Sequence, residues 1–458
     1  MKVIVCGAGQ VGSSIARYLA SEHNDVTVVD QSPDLIRRIT DSIEVQGLVG
    51  HASHPDVLER AGAEDSDMII AVTYTDEVNM VACQVAHSLF EVPTKIARVR
   101  SQSYLQPIWS NLFSRDHMPI DVIISPEIEV ARAVTRRLEV PGAFDMIPLV
   151  SDKVRFLGVR CADNCPVVNT PLRQLTQLFP NLDIVITAIL REDKPIIPSP
   201  EDQMLPGDEI YFVTATEQVP RALAAFGHEE HEARRLLICG GGNVGLFLAE
   251  TLEKEHPWVK AKIIETNAER AGFVAGQLNH TVVIHGDVLD LEILDEAGVA
   301  ETDTVVAVTN DDETNILASL LAKRHGCKRA ITLVNKASYE ALMPALGIDV
   351  VVSPRNITVS TILQHVRRGR IHSVHTLREG FGELIEAEAL DTSSLVGPQL
   401  KEIDLPSGVR IGAIVRADKV ITPRGTTVIE AKDRVVLFAS KEAIRKVEKM
   451  FSVRLEYF

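Results

Sequence analysis

Two short glycine-rich stretches are the residues of this sequence whose types and spacing point most directly to chemistry. The first, GAGQVG, runs from Gly7 to Gly12, and the second, GGGNVG, runs from Gly240 to Gly245. Each follows an apolar stretch that predicts a strand and opens a stretch that predicts a helix. In such a turn the first glycine permits the bend, the second lets a phosphate approach the backbone, and the third allows the helix to pack closely on the sheet. The amides at the helix N-terminus then attract an anion, so the sequence predicts two phosphate-binding turns.

An acidic residue ends the next predicted strand in each case: Asp30 in the first half of the chain and Glu265 in the second. A carboxylate at this place accepts hydrogen bonds from ribose hydroxyls and repels a 2′-phosphate, which favours NAD or NADH over NADP. ATP and ADP also carry a ribose and phosphates, so they stay open as alternative ligands. The pattern therefore predicts that the ligand is a nucleotide, but it does not distinguish NAD or NADH from ATP or ADP.

Polar residues near other strand ends extend each predicted site. The residues that end the fourth predicted strand of each half, where open α/β sheets bind ligands, are Thr73, Tyr74, Thr309 and Asn310. His51 is predicted to line the first site, and Asp287 stands at its place in the second half. His54, which precedes a proline, is predicted to cap the following helix.

The two predicted sites differ in their arginines. Arg98 and Arg100 follow the fifth predicted strand of the first half and could reach phosphates with a bidentate fork. The second half has Leu333 and Asn335 at these places. The alternative for Arg100, and also for Arg98, is a surface charge. The difference nevertheless predicts that the two sites differ in affinity or in preferred nucleotide.

Beyond the motifs, whole domains are duplicated. The stretch from Gly50 to Ala86 aligns without a gap with the stretch from Gly286 to Ala322. Short Val/Ile-rich strands alternate with amphipathic stretches of helix length, which predicts βαβ units and a parallel sheet covered on both faces. The fold class is therefore α/β: two Rossmann-like parallel-sheet domains alternate with two small α+β domains in a tandem repeat. The predicted domains are 1–140, 141–228, 232–372 and 373–458.

The small domains are predicted from a second, weaker repeat. The stretches 183–213 and 409–438 share the pattern A-I-x-R, followed by an aliphatic residue and proline and by an acidic residue before an apolar strand. A stretch with helical spacing links each parallel-sheet domain to its small domain. In the first copy Ile128, Ala131, Val134 and Leu138 share one helix face. This face is predicted to pack either on another domain or on the helix's own domain.

Composition excludes several classes of function. The 458 residues carry 47 basic and 63 acidic side chains, a net charge of −16, which argues against nucleic acid or anionic lipid as a partner. No apolar run approaches the about 20 residues of a membrane span, and the first residues lack the pattern of a secretory signal. None of the six cysteines forms a C-x-x-C pair, which argues against a zinc or redox site. No metal is therefore expected.

The segments VIVCGAGQVG, GHASHPDVLERAGAEDSDMIIAVT and IARVRS, with LICGGGNVG and AVTNDDETNI in the second half, resemble the TrkA family. Members of this family are cytoplasmic peripheral subunits of bacterial Trk potassium uptake systems, with two tandem regulator-of-potassium-conductance (RCK) units. The resemblance covers essentially the whole chain. It implies a protein that binds NAD or NADH and adenine nucleotides and gates an integral-membrane potassium transporter of the TrkH or TrkG type. It further implies a homo-oligomeric ring on the cytoplasmic face of the inner membrane.

By motif match, the resemblance also assigns nucleotide contacts. These are Gly7, Ala8, Gly9, Gln10, Val11, Asp30, Thr73, Tyr74 and Arg98 in the first half, with Gly240, Gly241, Gly242, Asn243, Val244 and Glu265 in the second. Tyr74 departs from the small polar residue expected at its position.

Two other functions stay open from the sequence alone. A hydride-transfer enzyme needs a proton donor or acceptor near the nicotinamide, and the small domains offer no candidate. The chain is therefore not expected to be an enzyme, and an NAD-dependent oxidoreductase is the alternative. A free-standing nucleotide sensor without a membrane partner is the other alternative.

Overall fold

The structure is a computed structural model that describes residues 1–163, 165–179, 182–192, 194–229, 232–366, 371–377 and 381–451. The chain divides into two compact units. The first unit holds Met1–Glu129 together with Pro354–Ile362, and the second holds the described residues of Val130–Ser353 and Leu363–Phe458.

A six-stranded parallel sheet forms the centre of the first unit. Its strands are β1 (Lys2–Cys6), β2 (Asp25–Asp30), β3 (Gln46–Val49), β4 (Met68–Ala71), β5 (Thr94–Arg98) and β6 (Val122–Ile124), in the order β3-β2-β1-β4-β5-β6. The helices are α1 (Gln10–Ser21), α2 (Pro33–Ser42), α3 (Pro55–Arg60), α4 (Asp76–Phe90) and α5 (Pro126–Glu139), of which α5 continues into the second unit. The central strands β1 and β4 are almost entirely apolar and buried, as expected of a parallel sheet covered on both faces.

An antiparallel sheet follows in the second unit. Its strands are β7 (Asp145–Leu149), β8 (Val154–Arg160), β9 (Ile184–Arg191), β10 (Lys194–Ile196) and β11 (Glu209–Ala215), in the order β10-β9-β11-β8-β7. Helices α6 (Leu172–Leu178) and α7 (Val219–Ala225) accompany this sheet.

The second parallel sheet repeats the first. Its strands are β12 (Arg235–Cys239), β13 (Lys260–Glu265), β14 (Val282–His285), β15 (Thr304–Ala307), β16 (Arg329–Leu333) and β17 (Val350–Val352), in the order β14-β13-β12-β15-β16-β17. The helices are α8 (Asn243–Glu255), α9 (Ala268–Gln277), α10 (Leu291–Glu296), α11 (Asp312–Arg324), α12 (Ala337–Glu340) and α13 (Pro354–Val366).

The last sheet is antiparallel. Its strands are β18 (Ile371–Leu377), β19 (Gly382–Glu388), β20 (Val409–Arg416), β21 (Lys419–Ile421) and β22 (Arg434–Ser440), in the order β18-β19-β22-β20-β21, and α14 (Ile444–Phe451) follows. The two antiparallel sheets share an apolar core, in which Tyr211 of β11 meets Phe381 at 5.4 Å between ring centroids. A Cβ at Gly412 would lie 2.6 Å from Cγ2 of Val213, so this glycine permits the close approach of the sheets.

The repeated A-I-x-R pattern has a structural explanation. Arg191 at the end of β9 donates two hydrogen bonds, of 2.9 and 2.8 Å, to the carboxylate of the buried Asp208. Arg416 makes the same pair of bonds, at 2.9 and 2.8 Å, to the buried Asp433. The acidic residue that precedes the apolar strand is therefore the partner of the motif's arginine, and the pattern stabilises the fold of each small domain.

The linking helix α5 makes its described end contacts in the second unit. From Val130 onward it belongs to the unit that contains the second parallel sheet. There the guanidinium of Arg329, the first residue of β16, donates to the carbonyls of Arg137 at 3.0 Å and Ala143 at 2.6 Å. Ala131 and Val134 on the predicted face are fully buried. The end of α5 is thus hydrogen-bonded to the second parallel-sheet domain, and the packing partner of its predicted face stays a prediction.

The predicted fold class is confirmed: two parallel-sheet domains alternate with two antiparallel-sheet domains. The proposed junctions between domains stay predictions, and strand β18 spans the one placed at 372. Among the described residues, no helix has the length and apolar character needed to cross a membrane.

Candidate nucleotide-binding sites

The first glycine turn, Gly7–Gly12, lies between β1 and α1 and has the geometry that the motif requires. Gly7 has a φ of +108°, and a Cβ there would lie 3.0 Å from the carbonyl oxygen of Val72. A Cβ at Gly12 would lie 1.8 Å from the carbonyl oxygen of Gly7, so only glycine lets α1 start this close to the strand. At Gly9 a Cβ would meet nothing within 4 Å. The turn is therefore closed on the protein side and open where a ligand would approach.

Asp30 lies at the end of β2 beside this turn. Its carboxylate accepts a hydrogen bond from the amide of Ala8 at 2.7 Å through Oδ2 and one from the amide of Ser32 at 2.8 Å through Oδ1. These bonds fix the direction of the carboxylate and the shape of the turn. Gln10 and Val11 then open α1, which begins with Gly9 at its N-cap.

Thr73 follows β4 and is held by a residue that the sequence analysis did not single out. Asn79 of α4 is fully buried, and its amide oxygen accepts from the amide of Thr73 at 2.8 Å and from its hydroxyl at 2.7 Å. The amide nitrogen of Asn79 donates to the carbonyl of Arg98 at 2.9 Å. Asn79 therefore ties the ends of β4 and β5 together at the candidate site.

The two arginines of the first site are placed differently. Arg98, the last residue of β5, donates to the carbonyl of Thr73 at 2.7 Å, while its buried Nε has no partner among the described residues. Burial, and then the like charge of Arg100, lower the pKa of Arg98. Arg100 donates from Nε to Oε1 of Glu127 at 2.7 Å. Burial alone would lower the pKa of Arg100, but the hydrogen bond and charge of Glu127 outweigh it and raise that pKa.

Glu127 itself is 7% exposed and stands in the first turn of α5. Its Oε2 is buried and has no partner among the described residues. The first site thus contains a buried donor, on Arg98, and a buried acceptor, on Glu127, that are both unpaired. A buried polar atom without a partner costs free energy, so both atoms mark a place that a polar ligand or water would satisfy.

Tyr74 and His51 lie at the edge of the first site. Tyr74 is 84% exposed, and its ring centroid lies 5.7 Å from Cζ of Arg100. His51 follows β3, and its Nδ1 lies 2.8 Å from Oγ of Ser53. The ring of His51 stacks on that of His54 at 4.6 Å. His54 occupies the N-cap position of α3, but its side chain makes no capping hydrogen bond, so the predicted capping role is not observed.

The second glycine turn, Gly240–Gly245, repeats the first. Gly240 has a φ of +109°, and a Cβ at Gly245 would lie 2.0 Å from the carbonyl oxygen of Gly240. Gly242 has open space around it, as Gly9 has in the first turn. Glu265 accepts from the amide of Gly241 at 2.7 Å and from that of Asn267 at 2.9 Å. Val244 lies in the first turn of α8, whose first residue is Asn243.

Thr309, which follows β15, is held by a buried asparagine, as Thr73 is in the first half. The buried Asn315 accepts from its amide at 2.8 Å and donates to the carbonyl of Leu333 at 3.1 Å. Asn310, at the place of Tyr74, is exposed. Asp287 accepts from the amide of Leu289 at 2.9 Å, which shapes its own loop.

Arg270 in α9 is a further residue that the sequence analysis missed. Its Nε donates to the carbonyl of Gly241 at 2.7 Å, and its Nη2 donates to Oδ1 of Asn243 at 3.3 Å. The guanidinium lies 5.0 Å from the ring centroid of Phe273. No motif marks this arginine, because the first half has Leu35 at the corresponding place. For Asn79 and Asn315 a signal existed, since D-E-V-N and D-E-T-N occupy the same place in the gapless alignment of the two halves.

The predicted residues therefore gather, within each domain, around the carboxyl ends of the first, second and fourth strands. The arrangement combines an open glycine turn at a helix N-terminus with a fixed carboxylate beside it. Such a site can bind the phosphates of a ligand through backbone amides and its ribose through the carboxylate. The first site also contains two arginines, Arg98 and Arg100.

A chain of this construction, with two Rossmann-like domains that each precede a small antiparallel domain, has known counterparts. The TrkA-N domain model matches residues 3–126 and 236–354, and the TrkA-C domain model matches residues 156–227 and 384–452. The class is therefore that of proteins with tandem TrkA-N and TrkA-C domains.

Full-length relatives narrow the class to a family. The chain is 57% identical over 458 residues to the Trk system potassium uptake protein TrkA of Azorhizobium caulinodans, covering 100% of both chains. It is 43% identical to the Trk system potassium uptake protein TrkA of Halomonas elongata, again over 100% of both chains. The chain belongs to the TrkA family. A solved structure of the GsuK channel bound to NAD shares the fold, with a TM-score of 0.59 and 18% identity over 99% of this chain and 79% of that one.

Proposed function

We propose that this protein is the peripheral regulatory subunit of a potassium uptake transporter and that nucleotides bound in its two Rossmann-like domains control the membrane subunit. The observation that carries the proposal is the pairing of an open glycine turn with a fixed carboxylate, present twice in a chain of the TrkA family. The relatives are named as Trk potassium uptake proteins, and these names are the basis for proposing potassium uptake as the transport process.

The proposed ligands are NAD or NADH, with ATP and ADP as further candidates. Asp30 and Glu265 suit ribose hydroxyls, and the GsuK channel that shares the fold is described as bound to NAD. In the first site the unpaired Nε of Arg98 lies at the end of β5, where a phosphate group could accept its hydrogen bond. The residues present therefore fit a nucleotide. When bound, NAD or NADH would serve as a signal.

Coupling to the transporter requires that a nucleotide bind two arrangements of the protein with different affinities. A coupling free energy of about 1–3 kcal/mol would change the gating equilibrium roughly 5- to 150-fold. The hydrogen bond from Arg100 to Glu127 supports such coupling, because it joins a proposed phosphate-binding residue to the first turn of α5. A phosphate that attracts Arg100 would weaken this bond and leave a buried carboxylate at the start of the linking helix.

The proposed location is the cytoplasmic face of the inner membrane, through contacts with an integral-membrane potassium transporter and in a homo-oligomeric ring. The net charge of −16 gives the surface no general attraction to anionic lipid. Docking should therefore depend on specific protein contacts.

Fractionation of cells with and without the cognate potassium transporter tests this proposal. We expect the protein in the membrane fraction only when the transporter is present, and we expect potassium uptake to fall when the protein is removed. Equal membrane association without the transporter would contradict the docking proposal. Turnover of NADH with a carbonyl substrate would favour the oxidoreductase alternative, and normal uptake without the protein would favour a free-standing sensor.

A further inference from the structure

Arg270 lies in a position that is unfavourable for a cation in the free protein. Asn267 caps α9 and accepts from the amide of Arg270, so the arginine stands in the first turn of the helix. The N-terminal end of a helix carries partial positive charge and disfavours a cation. Among the described residues, Arg270 makes no ion pair that would offset this cost, because its partners are a carbonyl and a neutral amide.

The contacts of Arg270 direct its charge toward the second glycine turn. The carbonyl of Gly241 and the side chain of Asn243, which accept its hydrogen bonds, flank Gly242, the open position of the turn. These bonds use only part of the five N–H donors of a guanidinium. Phe273, one turn further along α9 and 50% exposed, places its ring centroid 5.0 Å from Cζ of the guanidinium.

The first site carries its positive charge elsewhere. Leu35, which holds the place of Arg270, stands in the first turn of α2, and its amide donates the corresponding capping bond to the hydroxyl oxygen of Ser32. Arg98 and Arg100 at the end of β5 are the cations of that site, and the second site has Leu333 and Asn335 there. Each site therefore has arginine on one side of its glycine turn, and the two sites use opposite sides.

We propose that Arg270 is the phosphate-binding and specificity-determining arginine of the second site. It binds the phosphate groups of an adenine nucleotide on the glycine turn, and it takes the role there that Arg98 and Arg100 take in the first site. This inference rests on the proposed function of the second site as a nucleotide site. Because its charge lies beside the glycine turn and not at the end of β16, the second site should favour ligands whose charge is confined to a pyrophosphate, such as ADP and NADH.

The test uses the full chain with the first site blocked by Gly9→Glu, which has room for a side chain and a φ of −68°. In this background we expect Arg270→Leu, which introduces the residue of the first site, to lower the affinity for ADP and NADH at least tenfold. The affinity for adenosine, measured by competition against ADP, should change less than twofold, since adenosine has no phosphate. Raising the salt concentration should weaken ADP binding less in the variant than in the background chain.

Arg235→Leu is the matched control. It removes the same charge from the same domain, but at the opposite end of β12, where Arg235 pairs with Glu301. This variant should bind ADP as the background chain does.

An equal loss of ADP and adenosine affinity in Arg270→Leu would show that the arginine only shapes the turn, and an unchanged ADP affinity would overturn the inference as well. The reciprocal change provides a second test: Leu35→Arg, with the second site blocked by Gly242→Glu, should raise the affinity of the first site for ADP. Failure of the Gly9→Glu chain to bind ADP or NADH with Arg270 intact would instead remove the second site from the proposed function.

Discussion

At the scale of residues, the carboxylates of Asp30 and Glu265 combine an observed structural role with a proposed ligand-binding role. The sequence predicted them as acceptors for ribose hydroxyls, and in the structure each also accepts hydrogen bonds from two backbone amides, one of them in its glycine turn. A substitution there would therefore be expected to remove the proposed ligand contact and to loosen the turn together. This double role could not be read from spacing, because the pattern places the acid near the turn without giving its bonds.

We expect Asp30→Ala to weaken nucleotide binding at the first site about tenfold to a hundredfold, since a hydrogen bond to a charged group contributes about 1.5–3 kcal/mol. Isothermal titration of the full chain with NADH, in a Gly242→Glu background that blocks the second site, measures this effect. Asp34→Ala removes an exposed carboxylate of the same domain and is the control. Unchanged isotherms for Asp30→Ala would refute the assignment of Asp30.

The arginines should make the two sites unequal. In the same Gly242→Glu background, Arg98→Leu with Arg100→Asn introduces the residues of the second site at the end of β5. We expect the affinities for ATP and ADP to fall at least tenfold and that for adenosine to change little, because the proposed contacts of these arginines are to phosphates. Arg60→Leu, on the exposed side of α3, is the control. Loss of adenosine binding to the same extent would mean that the arginines only maintain the fold.

At the scale of elements, the parallel sheets were predictable because glycine turns, apolar strands and an exact internal repeat all indicated the same βαβ units. The contacts of the end of α5 could not be predicted, since an amphipathic face shows that a helix packs but not on which surface. The contacts of Arg329 with the carbonyls of Arg137 and Ala143 come from residues far apart in the chain. The A-I-x-R pattern was visible as a repeat, but its pairing with a buried aspartate required coordinates.

Within the second parallel-sheet domain, Glu253 of α8 joins the helix to the segment before β14. Its carboxylate accepts from the amides of Asn279, His280 and Thr281. Burial raises the pKa of Glu253, but these hydrogen bonds outweigh it and lower the pKa to about 2. A folded-state pKa below the unfolded value of about 4.3 means that the stabilisation is present at neutral pH. It is lost as the pH falls from about 5 toward about 2.

We therefore expect Glu253→Gln to lower the free energy of unfolding by about 1 kcal/mol at neutral pH, a value reduced for the solvent exposure of the group. The difference from the unmodified chain should shrink as the pH is lowered. Thermal unfolding of the full chain at several pH values measures it. Glu250→Gln, one turn earlier on the same helix, is the control, because burial raises the pKa of Glu250 and its ionised form is not stabilised. A difference that persists unchanged at acid pH would rule out the carboxylate as its source.

At the scale of the whole molecule, one chain contains two candidate nucleotide sites and a helix, α5, that belongs to both compact units. The first turn of α5 carries Glu127, the partner of Arg100, and its last residues lie beside Arg329 of the second parallel sheet. Separated halves would divide the elements of each unit, since Pro354–Ile362 belongs to the first. Experiments on nucleotide control therefore need the full chain.

Blocking both sites should abolish nucleotide control of potassium uptake. Gly9→Glu and Gly242→Glu place bulk and negative charge at the two N-caps where phosphates would approach, and a Cβ at either position meets no atom within 4 Å. We expect the double variant to fold, to lose binding of NADH and ADP, and to leave uptake insensitive to nucleotide in cells or vesicles that carry the transporter. Gly276→Glu, which adds the same side chain at an exposed glycine near the end of α9 where a Cβ also meets no atom within 4 Å, is the matched control and should retain binding and control. Nucleotide-dependent uptake in a folded double glutamate variant that no longer binds nucleotide would contradict control through these sites, even though the Rossmann-like fold would stand.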